Sequence, residues 1–156
     1  MKDAITFLGT GGGRIILATQ IRATGGFVIN LKKHQIHIDP GPGALTKARQ
    51  FKIDTRKTDI IFVSHGHIDH ANDTNAVIEA MTFGGIHKKG TLISVAGVID
   101  GKDCWLHKYN KNMLDNCIKV KAGDKVKIGD LVLNITSTKH DDPNGVGFRL
   151  EAPDIS

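Results

Sequence analysis

Residues 59–73 read DIIFVSHGHIDHAND: a compact apolar run gives way at once to three histidines and an aspartate within six residues. Ile60–Val63 has the composition of a strand. His65, His67 and Asp69 alternate, so in a turn leaving that strand their side chains can converge, while His70 points elsewhere. One short stretch could then serve two neighbouring metal ions. Imidazole and carboxylate donors suit zinc, manganese or iron, and no thiolate stands nearby to favour zinc more sharply. The bland alternative is a polar surface loop of satisfied histidines. Three histidines beside a carboxylate, directly after an apolar strand, weigh against it.

Outward from this stretch, apolar segments alternate with glycine turns. AITFL (4–8) and IILAT (15–19) read as strands around a GTGGGR turn. FVINL (27–31) and QIHID (35–39) read as a hairpin, and PGPG (40–43) stops its second strand. ALTKARQF (44–51) has the composition of a short helix. Asn72 or Asp73 can cap a helix running to about Thr82, with Ala76, Val77, Ala80 and Met81 as its apolar stripe. TLISVAG (91–97) is another strand, whereas 98–122 reads as an excursion with at most one helical turn. KVKIG (125–129), LVLNITS (131–137) and GVGFRLE (145–151) return to strand character. The expectation is a mixed α/β domain with several antiparallel hairpins and two helices.

At 156 residues the chain suits one domain with a substantial core. No apolar run approaches the roughly 18–20 residues of a membrane span, and the start lacks the pattern of a signal peptide. The expected location is the cytoplasm. Cys104 and Cys117 form no CxxC unit and read as two ordinary thiols. A net charge of +5 favours anionic partners. The lysines are dispersed, so a basic patch can emerge only in three dimensions.

His65, His67, Asp69 and His70 match without a gap the His-x-His-x-Asp-His signature of the metallo-β-lactamase fold superfamily, which the chain resembles. FLGTGGGR (7–14) is similar to the opening strand and glycine turn of its ribonuclease Z and phosphodiesterase branches. HIDPGPG (37–43) resembles the family's strand-ending Asp-x-Gly segment, and TKHDDP (138–143) supplies a histidine at a strand end. The resemblance implies that His65, His67 and His140 bind a first metal and that Asp69 and His70 belong to a second. It gives Asp69 a catalytic role, positioning the second metal and the nucleophile. Asp39 would support the ligands from behind. Gly11, Gly12 and Gly13, with Gly9, could form a nest of N–H groups for an anion, or simply a tight turn at the rim. His34, His37, His87 and His107 lack ligand spacing.

The family fold is a four-layer αββα sandwich of two similar halves, and the resemblance makes residues 1–156 its N-terminal half, a mixed, mostly antiparallel sheet with flanking helices. The expected domain is thus truncated before the distal ligands, a bridging aspartate and a final histidine; Asp154 precedes the strand that should carry the former and is not assigned to it. One half-sandwich would expose an apolar face, to be covered by a second copy or a complementary chain. The implied activity is metal-dependent hydrolysis of phosphodiester bonds, in RNA or a small phosphodiester. Its rivals are glyoxalase-type thioester hydrolysis and a non-catalytic half-domain that needs a partner.

Overall fold

The computed structural model describes residues 2–153, so Asp154 lies outside the described residues. Six strands form one sheet in the order β1 to β6: β1 (Ala4–Phe7), β2 (Phe27–Leu31), β3 (His34–Ile38), β4 (Ile60–Val63), β5 (Thr91–Ser94) and β6 (Asn116–Lys119). β1, β2 and β3 pair antiparallel, while β3 through β6 run parallel. A second sheet of three antiparallel strands contains β7 (Lys125–Ile128), β8 (Leu131–Ser137) and β9 (Val146–Glu151).

β4 lies between two parallel neighbours, and all four of its residues are buried, which is why it reads as an unbroken apolar run. Removing each such side chain from water contributes roughly 1.5–3 kcal/mol. The register puts Phe7, Phe27, Ile38, Phe62 and Ile93 on one face. Phe62 meets Phe148 of β9 there, with ring centroids 4.6 Å apart, so this face turns toward the small sheet. Val28, on the other face, packs with Leu8 and with Ala48 of helix α2 (Ala44–Gln50). His34 ties the sheets together, its ring nitrogens meeting Asp59 just before β4 and Asp130 in the β7–β8 turn.

The small sheet does not cover the whole inner face. Ile5 and Phe7 on β1 are each 59% exposed, and their partners Ile29 and Phe27 are half-buried. The layers are therefore helices, large sheet and a partial inner sheet.

Three local expectations change. IILAT forms part of helix α1 (Arg14–Thr19) rather than a strand, and none of its residues is buried. The 98–122 stretch is more regular than expected. It carries the end of α5 (Ala96–Ile99), a helix α6 (Lys108–Asn112) and β6, which the sheet recruits through pairs such as Leu92 with Cys117. The histidine stretch itself becomes a helical turn, α3 (Ile68–Ala71), with His67 at its N-cap. Asp73 does stand at the N-cap of α4 (Thr74–Met81), without a side-chain capping bond. Cys104 and Cys117 are free thiols.

Candidate metal centre

The elements around the site carry its side chains at or near their ends. β4 delivers Ser64 and His65 at its carboxyl end, α3 presents His67, Asp69 and His70, and the loop after β8 carries His140. β9 braces the strand exit, since the Val146 N–H donates to the Ser64 carbonyl at 3.1 Å. Gly41 explains the PGPG turn: a Cβ there would lie 2.0 Å from the Asp69 carbonyl oxygen, so only glycine lets that turn pack beneath α3.

One nitrogen from each of His65, His67 and His140 can be chosen so that all lie within 4.8 Å of one another. The His65 ring centroid is 4.6 Å from that of His67 and 4.3 Å from those of His70 and His140. Four imidazoles converge, with His65 at the buried centre and His67 and His140 exposed.

Asp39 sets the ring orientations. Its Oδ1 accepts the Ser64 N–H at 2.7 Å, and its Oδ2 accepts the Ser64 hydroxyl and His70 Nδ1, both at 2.9 Å. With that hydroxyl proton committed, His65 Nδ1 donates to Ser64 Oγ at 2.9 Å, and the lone pair of the neutral ring falls on Nε2. That Nε2 is buried and has no hydrogen-bond partner. An orphaned basic nitrogen facing two more imidazoles suits a divalent ion. Asp39 holds φ at 48°, in a left-handed conformation that aspartate tolerates better than most residues.

The protonation pattern agrees. Burial, then the neighbouring His70, His140 and His67, lower the His65 pKa to about 4, leaving a neutral imidazole at pH 7. For His70, burial favours the neutral ring, but the Asp39 bond and the charges of Asp39 and Asp69 outweigh it and raise the pKa. Burial alone would raise the Asp69 pKa; the Gly13 N–H and the His70 charge reverse that and hold it ionised. At His140, Nδ1 accepts the Asp142 N–H at 3.2 Å, which places the ring proton on Nε2. Ligation through Nε2 would move that proton and give up the Asp142 bond.

The glycine turn is largely spent on the chain itself. Gly11 N–H binds the Ala23 carbonyl at 2.9 Å, and Gly13 N–H binds Asp69 Oδ2 at 3.0 Å. Gly12 sits at the rim, where an added Cβ would come 3.7 Å from Asp69. The anion this turn holds is Asp69. A cleft of about 520 Å³ opens between the turn and the histidines, walled by Arg14, Leu17 and Ile68 and reaching Asp141.

Ser64, Trp105 and Arg14 are the contributors that residue spacing does not single out. Trp105 Nε1 donates to the Gly66 carbonyl at 2.6 Å and so pins the backbone between His65 and His67. The signal available in sequence was a lone tryptophan in polar surroundings. Among the other histidines, His37 is fully buried, with Nε2 3.3 Å from the Gly25 carbonyl. His87 and His107 lie on the surface.

Comparison with known proteins agrees with this architecture. Residues 34–155 match the Beta-lactamase superfamily domain. An uncharacterized protein of Methanocaldococcus jannaschii is 39% identical over 153 residues, covering 96% of this chain and 58% of that protein. Ribonuclease Z of Methanopyrus kandleri is 28% identical over 149 residues, covering 96% and 50%. This chain thus spans only about half the length of these relatives. Human tRNase Z, short form, shares the fold at TM-score 0.74 and 15% identity, over 96% of this chain and 64% of that one. YhfI of Bacillus subtilis, a metallo-β-lactamase fold protein, follows at TM-score 0.71 and 19% identity, over 94% and 56%. The sandwich, the histidine stretch at its strand end and the matched domain carry one conclusion: the chain belongs to the β-lactamase superfamily.

Proposed function

We propose that this chain is the metal-binding half of a hydrolase acting on phosphodiester bonds, in RNA or a small phosphodiester. The observation that carries the reading is the orphaned Nε2 of buried His65, facing His67 and His140 beside an open cleft. His65, His67 and His140 would hold one ion, and Asp69 with His70 a second, more weakly. The donor set fits zinc, with manganese or iron as alternatives. When bound, such an ion supplies Lewis acidity toward a phosphoryl oxygen and an activated water.

The chain's own residues do the rest. Asp69, held ionised, accepts a hydrogen bond from the attacking water and orients it. Asp39 fixes the His65 and His70 rings. Arg14 lines the cleft, and no carboxylate pairs with it among the described residues, so its charge is available to an anionic substrate. The ribonuclease Z relatives favour phosphodiesters over the thioesters of glyoxalase-type enzymes. The relatives extend beyond the part that this chain matches, so in this reading residues 1–156 are one metallo-β-lactamase-like domain whose distal ligands would be supplied from outside them.

A second copy or a complementary chain covers Ile5, Phe7, Phe27 and Ile29, the uncovered inner face that also favours the non-catalytic half-domain as a second reading. No helix among the described residues is long and apolar enough to cross a membrane. A cytoplasmic location remains the working assignment.

The test is hydrolysis of bis-p-nitrophenyl phosphate and short single-stranded RNA, after chelation and reloading with zinc or manganese. The isolated chain should bind one ion more tightly than a second and turn over little above metal alone, since about 1 Å of misplacement costs on the order of 100-fold in rate. The longest natural reading frame containing it should show turnover that His67→Ala abolishes. Faster cleavage of a thioester would replace the reading, and an inactive full frame would favour the half-domain.

A further inference from the structure

The fold gathers at one end of β4 the cations that the sequence scatters. The histidines follow this strand; the 3-10 turn Thr55–Lys57 precedes it, and two grooves adjoin that turn. Both grooves contain Asp54 and Arg56. Arg49 and Lys52 line the first, and Lys57 and Lys89 the second. Asp54 is the sole carboxylate lining either, and Arg56 already grips it through Nε and Nη2 at 2.9 and 3.1 Å. Among the described residues, Arg49, Lys52 and Lys57 form no salt bridge, although Lys57 is close enough to help lower the Asp54 pKa. Lys89 Nζ donates to the Arg56 carbonyl at 2.8 Å, which fixes its position without neutralising its charge.

An aromatic surface stands among these cations. Phe83 is 54% exposed, its ring parallel to that of His87 within 10° and its centroid 5.9 Å from the Arg56 guanidinium carbon. Its φ of 54° is uncommon for a bulky side chain. An excess of cations tracking a groove beside an open aromatic face is what single-stranded nucleic acid requires, because phosphates need charge and unstacked bases need a platform. An anionic membrane would instead meet an amphipathic helix lying flat, and these residues line concave grooves.

We propose that the grooves around Arg56 and Phe83 form a second site, binding the backbone and one base of single-stranded RNA away from the histidine cluster. The choice of RNA rests on the phosphodiester reading; the site itself does not. The four residues of β4 separate the two ends by roughly 13 Å at strand rise. A small phosphodiester in the histidine cleft cannot reach both, whereas an RNA of several nucleotides can.

The experiment is fluorescence anisotropy of a labelled 20-nucleotide single-stranded RNA against the full chain in EDTA. Lys52→Glu with Lys57→Glu should weaken binding at least about tenfold at low salt. The pair should also flatten the salt dependence by roughly 0.7 per lost phosphate contact. Phe83→Ala should cost about fivefold or more with the salt slope unchanged. Lys125→Glu with Lys127→Glu changes net charge equally at two exposed positions of β7 and should stay within twofold. Thermal melts would confirm that each variant is folded. No RNA binding by the parent chain, or equal losses in the two lysine pairs, would overturn the site. A silent Phe83→Ala would reduce it to a polyanion surface and overturn the RNA assignment. Tighter, Phe83-dependent binding to phosphatidylserine vesicles would reassign it to membranes. Because binding is read without metal, failure of the hydrolase reading leaves this result standing, and the reverse holds.

Discussion

His37 and His65 are both buried, and in both burial is the largest cause of a pKa lowered to about 4. Their surroundings differ. His37 lies mid-strand in β3, among Val28 and Ile61 in register, with a backbone carbonyl on Nε2. His65 lies just beyond a strand end, with a Ser64–Asp39 relay on Nδ1 and three imidazoles around the free Nε2. Each ring has one buried nitrogen without a partner, so that feature alone does not mark a ligand. Convergence does.

The sharpest way to break the contrast is His67→Ala. Removing one of three converging imidazoles should lower zinc affinity by on the order of 1,000-fold, about a third of the roughly 10–16 kcal/mol that structural zinc sites reach. Competition with a fluorescent chelator measures it. Unchanged affinity would remove His67 from the site.

Asp39→Asn tests the relay. An amide keeps only one acceptor oxygen, so either the Ser64 N–H or the Ser64 hydroxyl and His70 lose theirs, and the relay that sets the His65 tautomer is weakened. Zinc affinity should fall 10–100-fold, the range for such supporting groups. A loss below threefold in a folded variant would show that the rings orient themselves.

How the contrast responds to pH follows from sign. His37 has a folded pKa below its unfolded value of 6.5, so between about pH 6.5 and 4 the unfolded chain binds more protons. Its contribution is present in full above pH 6.5 and is lost as pH falls toward 4, by about 3 kcal/mol. His37→Gln keeps a donor for the Gly25 carbonyl but cannot titrate. Urea midpoints across this window should flatten in the variant, while zinc affinity at pH 7.5 stays within threefold. A tenfold loss of zinc affinity would mean that the two environments are coupled.

Much of the candidate site was legible because its residues are local in sequence: His65, His67, Asp69 and His70 span six residues, and His140 follows a clear strand that ends at Ser137. Asp39 was legible as a strand-end carboxylate, but Ser64 between Asp39 and His65 was not, since a lone serine carries no spacing. The fold was readable wherever both faces of a strand are buried, as in β4 and β5. It failed at β6, a half-exposed edge strand whose NCIK has neither an apolar run nor clean alternation. Only pairing with β5 makes it a strand. IILAT failed the opposite way, because a short apolar run suits helix or strand equally. The basic grooves were invisible because their cations come from α2, the 3-10 turn and the segment after α4.

The smallest effect belongs to His107→Ala, which asks whether a histidine matters merely by being present. His107 is exposed and holds the N-cap position of α6, but its side chain makes no capping bond. What anchors it is its backbone N–H, donated to Asn75 Oδ1 at 3.0 Å, and alanine keeps that bond. Nothing buried is lost, so stability should change by less than about 0.5 kcal/mol, as for ordinary surface substitutions. Zinc affinity should stay within twofold, because the ring stands apart from the convergent group. Run beside His67→Ala in one chelator competition, it removes any general contribution of surface imidazole to zinc uptake. A loss approaching that of His67→Ala would dissolve the distinction between converging and scattered histidines on which the site assignment stands.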